Sequence, residues 1–72
     1  MEDESIALKL AIRIRNLRRK YNYTQQKLSE IADIDYKHIQ LIESKKPPYV
    51  KLDTLEKLAK AFNIKPSKLL EF

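Results

Sequence analysis

The sequence predicts an all-α fold of five short helices, and three observations carry that prediction. Glycine is absent and proline occurs only at positions 47, 48 and 66, so little in the chain breaks a helix. Apolar residues recur three and four apart, which is the helical period. No segment alternates apolar and polar residues as a half-buried strand does, and no repeat or low-complexity run is present.

Each element can be read in order. The first helix is expected from about Ser5 to Tyr21. Ile6, Leu10, Ile14, Leu17 and Tyr21 make one apolar stripe along it. Ser5 is its expected N-cap. Glu2, Asp3 and Glu4 sit at the positive helix end, and Arg18, Arg19 and Lys20 at the negative end. Leu8 and Ile12 form a second, weaker stripe, expected to pack on the C-terminal tail or on a second subunit. The second helix is expected from Thr24, as N-cap, to Ala32, with Leu28, Ile31 and Ala32 inward. The third is expected from Asp35, as N-cap, to about Ser44. Only Asp33, Ile34 and Asp35 link these two, so they should cross steeply. Pro47 and Pro48 stiffen the following loop. A fourth helix over 52–62 turns Leu55, Leu58, Ala59 and Phe62 inward, with Asp53 and Glu56 at capping-box spacing. A short fifth helix over 66–71 starts on Pro66 and docks through Leu69 and Leu70.

Composition bounds the function. A chain of 72 residues makes one small domain, residues 5–72, behind an acidic tail of residues 1–4. Such a domain buries roughly 60% of its unfolded surface and needs a regular core. No cysteine is present, which excludes disulfides and thiolate metal sites and fits a reducing, cytoplasmic setting. No apolar run approaches the roughly 20 residues that cross a bilayer, and no signal peptide is visible. Lys and Arg number 15 against 10 Asp and Glu. With the three tail acids set aside, 15 cations face 7 acids, a net of +8. A compact unit this basic suits a polyanion; solvated lysines kept for solubility are the plainer reading.

The third helix carries the functional argument. At about 100° per residue, Ile39 and Ile42 fall on one side, while Tyr36, Lys37, Gln40, Leu41 and Ser44 fall roughly opposite. An ordinary wet helix face shows Glu–Lys pairs four apart. This face has none and holds no acid. Lys37 can donate to guanine O6 and N7, Gln40 can pair with adenine, and Leu41 can touch a thymine methyl. A short helix of this kind, set on a partner by a tight turn, suits the DNA major groove.

These residues resemble a known pattern. Ile14-Arg15-x-Leu17-Arg18, Thr24-Gln25-x-x-Leu28, Ile34, Ile39, Ile42-Glu43, Leu55, Leu58-Ala59, Phe62 and Leu69 together are similar to the lambda-repressor-like (Cro-type) helix-turn-helix family. The likeness spans roughly residues 10–70. It implies a compact five-helix domain with the helix-turn-helix at the second and third helices. It also implies a homodimer on a palindromic double-stranded operator, with the two reading helices about 34 Å apart. Small stand-alone members include phage repressors and the controller proteins of restriction–modification systems, and Ile34-Asp35-x-x-x-Ile39 looks controller-like.

Residue roles follow from the resemblance. Tyr36, Lys37, Gln40 and Leu41 fall on the base-reading stretch, and Asp35 either caps the helix or accepts from a cytosine amino group. Gln25, Lys45 and Lys46 match phosphate contacts. Arg18 and Glu43 match a structural ion pair tying the first helix to the end of the third. Asn22, Asp33 and Lys45 stand where the family often has glycine at positive φ. Asn and Asp tolerate that region better than Lys, so the turn at Lys45 is expected to be strained or reshaped. Ser29 stands at the family's usual alanine.

No cofactor, metal or small-molecule substrate is expected. His38 is a packed or surface residue, Tyr49 reaches a phosphate or covers the core, and Tyr21 and Tyr23 close the first corner. The expected function is sequence-specific DNA binding by a transcriptional regulator. A protein-interaction module, such as an antitoxin-like subunit, is the rival that an exposed Leu41 and the Leu8–Ile12 stripe permit. An enzyme has almost no support.

Overall fold

The computed structural model describes residues 5–72, so the acidic tail with Glu2, Asp3 and Glu4 lies outside the described residues. Five helices follow one another: α1 (Ile6–Lys20), α2 (Gln25–Ala32), α3 (Tyr36–Ile42), α4 (Leu52–Ala61) and α5 (Pro66–Leu69). The start signals of the first two act as the side chains require. Ser5 Oγ accepts from the Leu8 amide at 3.1 Å, and Thr24 Oγ1 accepts from the Lys27 amide at 2.9 Å. Each satisfies an amide that the first helical turn leaves open.

All five helices contribute to one core. Ile14, Leu28, Ile39, Ile42, Leu58, Phe62 and Leu69 are its fully buried side chains. α2 packs on α3 and α4, while α5 packs on α4 and α1. Arg13 adds a strap from α1, donating Nη2 to the Lys68 carbonyl of α5 at 2.9 Å. Tyr21 and Tyr23 close the α1–α2 corner against the end of α4. Their rings stand 5.5 and 6.3 Å from Phe62, and the Tyr21 hydroxyl donates to the Phe62 carbonyl at 2.7 Å.

Several expectations fail for physical reasons. Ile6, Ile31 and Leu70 are exposed, at 67%, 41% and 42%; Ile6 and Leu70 line an open groove with Val50 and Leu55 that leaves them only partly covered. The Leu8–Ile12 stripe lies on the side of α1 next to the turn after α3. With Ala11 it borders a shallow groove beside Glu43, Ser44 and Lys45. Asp35 occupies the N-cap position of α3, but its side chain makes no capping bond. The helix closes at Ile42, two residues before Ser44. Asp53 and Glu56 form no capping box either; Lys51 is the N-cap of α4 and contributes no side-chain bond. Helix α5 stops at Leu69, short of residue 71. Tyr49 is 90% exposed and covers no core.

Candidate nucleic-acid interface

The α2–turn–α3 unit is set by three local devices. Asp33 adopts φ 59°, ψ 47°, a left-handed conformation that lets the chain reverse within a short turn. The Ile34 amide then bonds to the Ser29 carbonyl at 3.0 Å, and the Ile34 side chain drops into the core. Ser29 is buried, with its hydroxyl donating to the Gln26 carbonyl at 2.7 Å, so its polarity is satisfied at the close α2 surface. From the far side, Ile39 and Ile42 are fully buried and fix the roll of α3.

That roll leaves the opposite face open. Tyr36 is 42% and Leu41 56% exposed, and Lys37 and Gln40 are exposed beside them. Lys45 and Lys46 follow on the exposed turn. Ser44 is half-buried, with its hydroxyl turned back to the Leu41 carbonyl at 2.7 Å. His38 sits half-buried at the edge, and no group of three metal-ligating side chains occurs among the described residues.

Behind α3, Glu43 is the junction of three helices, and its side chain is only 1% exposed. Arg18 forks onto it, Nε to Oε2 at 2.8 Å and Nη2 to Oε1 at 3.0 Å. Arg18 Nη1 also donates to the Tyr23 carbonyl at 3.0 Å. Gln25 is half-buried and donates Nε2 to Glu43 Oε1 at 3.2 Å. Arg15 donates Nη2 to the Glu43 main-chain carbonyl at 2.9 Å, with Nε 3.7 Å from Oε1. Sequence reasoning missed the Arg15 and Gln25 bonds. The spacing of Arg15 and Arg18, three apart on one helix face, was the available signal.

The turn after α3 takes the second of the two expected forms, a reshaped turn without strain. Positive φ occurs at Asn22, Asp33 and Asn63 and not at Lys45, so lysine carries no left-handed strain there. Asn63, after α4, is a third left-handed position, at φ 56°.

An anchored short helix, a tight turn and an acid-free open face followed by two lysines define a helix-turn-helix DNA-binding unit. A family model for the Cro/C1-type HTH DNA-binding domain matches residues 13–72. The chain belongs to that family. It is a DNA-binding transcriptional regulator. Among solved structures it is similar to the restriction–modification controller protein C.AhdI from Aeromonas hydrophila. The two share 28% identity and a TM-score of 0.81, over 88% of this chain and 94% of that one. No match is found among curated protein sequences.

Proposed function

We propose that residues 5–72 form one binding unit that acts as a homodimeric, cytoplasmic operator-binding regulator of the controller or phage-repressor type. Tyr36, Lys37, Gln40 and Leu41 read base edges, and Gln25, Lys45 and Lys46 hold phosphates. The observation that carries this reading is the open face of α3, where four side chains able to contact base edges stand clear of the fold without an acid among them. Binding needs no chemistry. Cation–phosphate contacts supply most of the affinity, and the α3 side chains supply discrimination.

A dimer is favoured by a second surface. Ile6, Tyr49, Val50, Leu52 and Leu70 line one apolar groove with α1 and α4, and Tyr49 and Leu52 are 90% and 82% exposed. None of these residues belongs to α3, so a second copy seated there leaves both reading helices open. No helix among the described residues is long and apolar enough to cross a membrane. The controller assignment draws on the likeness to C.AhdI.

Selection of bound duplexes from a random pool tests the reading. The expected product is a two-fold symmetric consensus with half-sites about one helical turn apart. The rival interaction module, which Leu41 and the Leu8–Ile12 groove favour, predicts no enrichment over the starting pool.

A further inference from the structure

The ends of the helices differ in a way that bears on base reading. Three of the four longer helices close on a left-handed residue: Asn22 after α1, Asp33 after α2 and Asn63 after α4, with φ of 60°, 59° and 56°. At each, a later amide reaches back to an otherwise open carbonyl. Tyr23 N bonds to Arg18 O at 2.9 Å, Ile34 N to Ser29 O at 3.0 Å, and Ile64 N to Ala59 O at 3.0 Å. This is the usual way a helix satisfies its last carbonyls.

Helix α3 has no such closure. Glu43 sits at φ −92°, ψ 7°, and no residue of the following turn is left-handed. Ser44 serves the Leu41 carbonyl twice, through its amide at 3.1 Å and its hydroxyl at 2.7 Å. The Glu43 carbonyl is served from another helix, by the Arg15 guanidinium at 2.9 Å. A cation at that point also meets the negative end of the helix dipole.

We propose that Arg15 is a positioning residue for base reading. It caps α3 from α1 and holds the last helical turn, which carries Gln40 and Leu41. The inference rests on the base-reading role proposed for α3. A seven-residue helix has few internal bonds to resist fraying, so an open C-terminal end would let its last two readers wander. Tyr36 and Lys37, in the first turn, are seated by the α2 turn and do not depend on this cap. Two arginines converge on one glutamate here, which leaves a net positive charge near the lysines of the turn. A direct phosphate contact by Arg15 is therefore the competing role.

The test uses the full chain with Arg15→Met, which keeps the apolar stem, and Arg15→Lys, which keeps one donor. Each is titrated with the selected duplex and a random duplex across salt, and the duplex selection is repeated. For Arg15→Met the expected loss is about five- to tenfold on the selected duplex, with random-duplex affinity and salt slope unchanged. The consensus should relax at the base pairs that Leu41→Ala also relaxes, and stay sharp at those that Lys37→Ala relaxes. Arg15→Lys should recover part of the loss, and it carries the same comparison if Arg15→Met does not fold. Equal loss on both duplexes, with a slope shallower by about 0.9, would overturn the proposal in favour of a phosphate contact. Unchanged discrimination would overturn it outright. Failure of the base-reading role itself shows earlier, as a parent chain that prefers no duplex.

Discussion

At the scale of single residues, Glu43 explains how a domain of this size can aim a helix. One buried carboxylate receives a guanidinium from α1 and an amide from α2 while sitting at the end of α3. The sequence likeness pointed to Arg18 and Glu43 as partners, and the structure brings them to 2.8 Å. The two further ties, from Arg15 and Gln25, were not legible, because a half-buried polar side chain can turn either toward solvent or toward the fold. Gln25 shows the consequence: a residue expected to grip phosphate is already tethered inward at 3.2 Å. That tether fixes the orientation of its side chain in the free protein, which would lower the entropy cost of the phosphate contact proposed for it. Arg18→Met should destabilise the chain by about 3 kcal/mol, the lower end of the cost of stranding a buried charge, because Arg15 remains 3.7 Å away. Urea unfolding checks this, and a change near zero would mean the pair is held no better than surface charges.

At the scale of elements, the starts and inner faces were readable and several ends were not. Ser5 and Thr24 announced α1 and α2 because a hydroxyl before an apolar stripe has one low-energy use there. Leu10, Ile14 and Leu17 kept the inward side that their spacing implied. Ile6, Ile31 and Leu70 left it, because spacing gives direction around a helix but not how completely a neighbour covers that side. Asp35 failed as a cap since the sequence names a residue type and not the rotamer it adopts. The turn at Asp33 is the element whose geometry most affects function, since it sets the angle between α2 and α3. Asp33→Ala should cost about 1–2 kcal/mol, because alanine lacks the local hydrogen bonding that eases the left-handed region. Asp33→Gly should equal or exceed the parent in stability. Thermal unfolding of both separates them, and an alanine variant as stable as glycine would mean the turn relaxes to another shape.

At the scale of the whole molecule, two open surfaces stand on different elements. The polar, acid-free face of α3 and the lysines that follow it are open on one element set. The apolar groove of Ile6, Tyr49, Leu52 and Leu70 belongs to another. The radius of gyration, 11.3 Å, is close to the roughly 11 Å expected of a globule this long. Leu52→Lys should shift the dimer to monomer in sedimentation and weaken operator binding, while leaving half-site preference intact. An unchanged mass would place the partner elsewhere. The central claim is that the outward side of α3 reads sequence, and paired titration of Lys37→Ala and Lys46→Ala on selected and random duplexes tests it most directly. Lys37→Ala should lose about 1–3 kcal/mol on the selected duplex alone, whereas Lys46→Ala should weaken both duplexes equally and reduce the salt slope. Equal losses on the two duplexes from both variants would contradict it.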